Sequence, residues 1–164
     1  MKNIETILVE CKKNKFDPAI DGETKIKNSP GVYIICLCKD AELPQEKHCI
    51  AIKFKIFEGY RVLYVGQGRD LRTRDYKNHF NGNNAGRSTL RKSLGVLFGY
   101  TLVPRDKKEN GKTKFNETDE KKLTQWMKKN LIMYFYPVLD YNEVEETLIQ
   151  HFNPPLNLRK NDNP

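Results

Sequence analysis

A chain of 164 residues, 38% of them hydrophobic and with no apolar run of membrane-spanning length, reads as one domain with a core of its own. Its net charge of +8 and pI near 9.3 favour a polyanionic partner, nucleic acid before membrane. The N-terminal segment has no apolar signal-peptide core, so Cys11, Cys36, Cys38 and Cys49 are expected to be reduced thiols of a cytoplasmic protein.

Residues 1–29 read as a short amphipathic helix, with Ile4, Ile7, Leu8 and Cys11 at helical spacing, followed by a polar connection; residues 30–164 form the domain proper. Pro30-Gly31 opens a β-branched and aromatic strand over 31–38. A polar loop leads to a second strand over 50–57, and Glu58-Gly59 turns the chain into a third over 60–65. Three strands in succession suggest an antiparallel meander. Asp70 should cap a basic helix over 71–80. Residues 81–86 form a Gly/Asn loop, and Ser88 should cap a helix reaching about Phe98, with Leu90, Leu94 and Leu97 inward and Arg87, Arg91 and Lys92 outward. A short strand is expected at 100–103 and a charged, mobile loop at 104–119. Thr118 or Asp119 then caps a helix carrying Leu123, Trp126 and Met127, and a buried strand over 131–138 follows. The fold class is therefore α+β: a small, mainly antiparallel sheet flanked by helices.

The last helix carries the most information. Asp140 suits its N-cap with Glu143 as capping-box partner, and Asn153 with Pro154-Pro155 ends it. Wound at 100° per residue, Tyr141, Val144, Leu148, Ile149 and Phe152 form an apolar stripe with Glu145 near its centre. A carboxylate there is costly unless paired, so Glu145 is either a satisfied structural acid or a functional one, a metal ligand among the options. Cys36, Cys38, His48 and Cys49 match no common zinc spacing and read as ordinary core and loop residues.

Three patterns stand in order along the chain. They are Gly31-Val32-Tyr33, then Tyr64-Val65-Gly66, then Glu145-x-x-Leu148-Ile149 running into Asn153-Pro154-Pro155-Leu156-Asn157. With an arginine on the helix after the second triplet, the set resembles the GIY-YIG nuclease family over residues 31–157. The resemblance implies a three-stranded sheet flanked by helices and an endonuclease that hydrolyses DNA with one Mg²⁺ or Mn²⁺. RNA is a less favoured substrate, and the protein would be a monomer or homodimer. The other reading is a catalytically weak nucleic-acid-binding module of the same fold. In the family's pattern Arg74 holds the phosphate, Glu145 binds the metal, Tyr64 is the favoured base with Tyr33 positioning, and Asn157, Gly31 and Gly66 support the site. Gln67 stands where members often have Lys, a role Arg69 could take. A restriction-type branch carries Arg-Asp-x-x-x-His-Phe, matching Arg74 to Phe80, which brings in His79. α-Helical winding, however, groups Arg72, Tyr76 and His79 on one face and Arg74 and Asn78 on another, which keeps Arg72 as an alternative to Arg74. Arg69, Arg72, Arg87, Arg91 and Lys92 are expected to hold the nucleic-acid backbone.

Overall fold

The structure is a computed structural model and describes residues 2–44, 52–82, 85–105 and 112–157. Its centre is strand β2 (Gly31–Leu37), whose seven residues are all buried. That follows from position: β2 is paired antiparallel on one side with β4 (Tyr60–Gly68) and on the other with β7 (Leu131–Pro137). A strand covered on both faces and both edges reads as a continuous apolar run rather than an alternation. The sheet order is β1-β7-β2-β4-β3, with β1 (Lys15–Phe16) and β3 (Ile56–Phe57) at the edges.

The order corrects the expected meander in two ways. First, β2 pairs with β4 and not with β3, while β7, late in the chain, lies along the other edge of β2 and pairs in turn with β1. Second, the strand expected over 50–57 is reduced to Ile56–Phe57, with Lys55 adding one backbone bond to Val62. Exposed Lys53 and Lys55 alternate along this edge, and charged side chains there discourage extension of the pairing. Residues 50 and 51, like His48 and Cys49, lie outside the described residues.

Two helical layers enclose the sheet. On one face α1 (Ile4–Lys12) and α4 (Tyr141–Phe152) pack over Val32, Ile34, Cys36, Val62 and Ile132. On the other, the helix Arg72–Phe80, α2 (Thr89–Leu97) and α3 (Glu117–Asn130) pack over Tyr33, Ile35, Leu37, Leu63 and Met133. A bulge between Ile35 and Cys36 leaves Leu63 without a cross-strand partner, so Val62 and Tyr64 serve opposite faces.

Local capping departs from expectation where a better partner exists. Ser88 caps α2 as expected, accepting from Arg91 N. Asn116 caps α3 one turn earlier than Thr118 or Asp119 would. Asp140 makes no side-chain cap bond; its carboxylate goes to Lys2. Asn153 closes α4 in the left-handed conformation (φ 44°), a role asparagine tolerates. The segment expected as a loop at 104–119 carries structure at its described ends: β5 (Val103–Pro104) pairs with β6 (Thr113–Lys114), and this replaces the strand expected at 100–103.

Candidate active site

The site forms where the ends of β2 and β4 meet the helix Arg72–Phe80. That helix has π winding, with Asn81 N bonding Tyr76 O five residues back. The winding decides the site. In an α-helix Arg74 and His79 would lie about 140° apart around the axis. Bonds five residues apart bring i and i+5 nearly into line, so both side chains reach the same tyrosine. Arg74 Nε donates to the Tyr33 hydroxyl (3.4 Å), and His79 Nε2 lies 2.6 Å from it. Arg72, the alternative, turns away and donates to Ile26 O (2.9 Å), tying down the connection before β2.

Glycines make room for this meeting. A Cβ on Gly66 would overlap the hydroxyl end of the Tyr33 ring, and one on Gly68 would press on Arg74 Cβ at 2.9 Å. Gly31 is held as tightly, against Tyr136 O and Leu71. Tyr33 and Tyr64, two register positions apart on adjacent strands, point to the same face with ring centroids 6.2 Å apart. Asn157 holds β4 from outside, donating to Val65 O (2.7 Å) and accepting from Val65 N (2.9 Å).

Behind the tyrosines a polar chain runs inward. His79 Nδ1 is 2.5 Å from Ser88 Oγ, which also accepts from Arg91 N. Tyr33 receives Arg74 Nε–H, so its own O–H is best directed to His79 Nε2. The imidazole then carries its proton on Nδ1 and donates to Ser88. Burial drives both titrations toward neutrality. The Tyr33 phenol is pushed well up, chiefly by desolvation and then by Tyr64 and Asp75. His79 is pushed well down by desolvation and by the Arg74 and Arg91 charges. Tyr64 is also raised by burial; the Arg74 charge opposes this and the Glu145 charge adds to it.

Glu145 stands on α4, across the sheet from Arg74. It is 8% exposed. Among the described residues no three His, Cys, Asp or Glu side chains gather into a metal cage. One carboxylate at a nearly closed edge fits a hard cation such as Mg²⁺, which is commonly bound by one or two carboxylates and completed by phosphate oxygens and water.

The expected backbone contacts divide. Arg69 and Arg87 are exposed and Lys92 is half-buried. Arg91 is a correction: it is fully buried and bound to Glu120 (2.8 Å), Thr124 Oγ1 (2.8 Å) and His79 O (2.9 Å). The inward face of α2 includes Leu90, Arg91, Leu94 and Gly95, and Leu97 is only partly covered. Gly95 admits the Phe115 ring, which rotates that face toward Arg91. Glu120 had no sequence signal, because its partner lies 29 residues away. Ser88 was legible only as a cap. Gln67 does not reach the tyrosines; it donates to Asn142 (3.0 Å).

Asp75, beside Arg74, is fully buried with neither oxygen hydrogen-bonded, and desolvation pushes its carboxyl well up. Its Oδ1 is 3.9 Å from His79 Nε2. A buried acid without a partner costs stability, and such groups cluster at functional sites.

Two tyrosines, an arginine and a histidine thus meet at one end of a small antiparallel sheet in an α+β fold. The family model of the GIY-YIG catalytic domain matches residues 31–164, and the chain belongs to this nuclease family. No curated protein and no solved structure matches it.

Proposed function

We propose that this protein is a divalent-metal-dependent endonuclease that hydrolyses phosphodiester bonds of DNA. The observation that carries the reading is the convergence of Arg74 and neutral His79 on the Tyr33 hydroxyl, with Tyr64 packed beside Tyr33 on the same face of the sheet. Tyr64 is the tyrosine with an exposed edge, whereas Tyr33 has none. Tyr64 is therefore the group assigned to the attacking water, while Tyr33, held between Arg74 and His79, positions it. Neither phenol has a lowered pKa, so the pair orients the water through neutral hydroxyls rather than as a phenolate. Arg74 already spans the Tyr33 hydroxyl and Arg87 O (3.3 Å); its guanidinium can turn to a phosphate and steady charge on the non-bridging oxygens. Glu145 would hold Mg²⁺ or Mn²⁺, which when bound supplies positive charge to the phosphoryl group.

The second reading, a binding module with little catalysis, is favoured by Gln67, whose amide is engaged with Asn142 away from the tyrosines. Purified protein incubated with supercoiled plasmid, with Mg²⁺ or Mn²⁺ against EDTA and with Glu145→Ala alongside, separates them. The nuclease reading expects metal-dependent nicking or linearisation that falls roughly a thousandfold or more in the variant while binding largely persists. Salt-sensitive binding without cleavage at any divalent ion would favour the module. Cleavage that survives Glu145→Ala would remove Glu145 from the site.

A further inference from the structure

Next to Arg74, on the outer side of the π-helix, lies an open cleft of about 300 Å³ lined by Thr73, Lys77, Asn78, Gly82 and Arg87. None of these lining residues is acidic. Two are cations, and Thr73 and Asn78 bring neutral polar groups. Among the described residues Lys77 makes one ion pair, a long and exposed one with Glu23 (3.8 Å), which a stronger anion can displace at little cost.

The cleft is fixed from beneath. One wall is the last turn of the π-helix and the other the turn Ala85–Arg87. The buried Arg91–Glu120 pair joins them: Arg91 donates to His79 O on the first wall, while Glu120 Oε1 accepts from Ala85 N (2.6 Å) on the second. Gly82 lets the connecting chain press on the Lys77 and Asn78 carbonyls, at distances no Cβ would fit. Arg105 NH1 bonds Gly86 O (3.2 Å) and braces the outer rim. At the inner end Arg74 NH1 bonds Arg87 O (3.3 Å), so the cleft opens directly beside the group assigned to the reacting phosphate.

We propose that this cleft is a preformed seat for the backbone phosphate adjacent to the one that reacts, with Lys77 and Arg87 as its cations. The inference rests on the reading that the substrate is a nucleic-acid strand, and it gives Arg91 a part in binding as the builder of the cleft rather than as a contact. A rigid basic cleft in line with the site fixes the register of the strand without reading its bases. Its contribution is uniform binding, which acts on KM and leaves kcat at saturating substrate nearly unchanged.

The test is equilibrium binding of a fluorescent DNA duplex without divalent ions, across a salt series, by the full chain and by Lys77→Gln/Arg87→Gln. Lys12→Gln/Lys13→Gln, the same charge change at the end of α1 on the opposite side of the sheet, is the control. The cleft variant is expected to bind at least about tenfold more weakly at low salt, with a log–log salt slope smaller by about two. The control should keep the wild-type slope, and so should the charge-conserving Lys77→Arg/Arg87→Lys. A cleft variant indistinguishable from the control would overturn the proposal, as would loss of the slope in the charge-conserving pair. Plasmid cleavage by the wild type reads the nuclease separately. A lowered slope without cleavage keeps the cleft and removes the nuclease, whereas cleavage with an unchanged slope removes the cleft alone.

Discussion

The two faces of the central sheet are built differently. Beneath α1 and α4 the core is aliphatic and aromatic, and of its buried side chains only Glu145 on α4 belongs to the candidate site. On the other face Tyr33 of β2 lies beneath His79 and Asp75 of the π-helix, Arg91 of α2 and its cap Ser88, and Glu120 of α3, all in the interior and most of them joined by hydrogen bonds. One face stabilises the fold through area removed from water. The other spends part of that stability on fixing polar groups in place. Arg74 and Arg91 show the contrast most closely. Arg91 is saturated with partners and closed to solvent. Arg74, held by a long bond to Tyr33 and one to a carbonyl, keeps its capacity for a new anion.

The sharpest way to break the polar face is Arg91→Leu. It strands the Glu120 carboxylate in the interior and should cost about 3–5 kcal/mol, read by urea unfolding. On the apolar face Leu148→Ala should cost about 2–5 kcal/mol through its cavity alone, with the hydrogen bonds of the polar face intact in whatever fraction is folded. The double change Arg91→Leu/Glu120→Leu separates the two meanings of the pair. It should recover most of the stability lost by the single variant, because no charge is left unpaired, yet activity should stay low because His79 O and Ala85 N lose their clamps. Recovery of both would reduce the pair to ordinary packing.

Smaller effects should appear in the pH dependence of stability. His79 is held below its ordinary 6.5, so the unfolded chain binds the extra proton first, and stability falls as pH drops below about 6.5. Asp75 is raised above 3.8, so there the native state holds the extra proton, and stability falls as pH rises from about 4. The two slopes oppose each other between these limits. His79→Asn should therefore leave a protein that gains stability on mild acidification, while Asp75→Asn should steepen the acid loss. Thermal unfolding at pH 5 and 7 checks both, and parallel curves for all three proteins would refute the assigned directions.

The smallest expected effect has the opposite sign to most substitutions. Asp75 has no hydrogen bond to lose, so Asp75→Leu at neutral pH should not destabilise and should raise stability by about 1 kcal/mol, roughly 2–4 °C in Tm. A clear loss would show that the carboxyl is satisfied in solution.

Much of this was legible in the chain. The run of apolar residues from Gly31 to Leu37 announces a central strand, because only a strand covered on every side can be apolar at every position. The stripe on α4 isolates Glu145 without reference to any other residue, and Asn153 marks where that helix stops. The ordered triplets give the family. What the chain did not reveal is whatever depends on partners distant in sequence or on a winding that local periodicity assumes away. β7 joins β2 across about 100 residues, and a two-residue β1 has too little pattern to detect. Arg91 looks like one more solvated charge until Glu120 is brought beside it. Arg74 and His79 fall on different faces under 3.6-residue winding and on the same tyrosine under π winding. The residue types of the site are local information and survive in the sequence; their convergence is a property of helix geometry and burial, which only the folded chain decides.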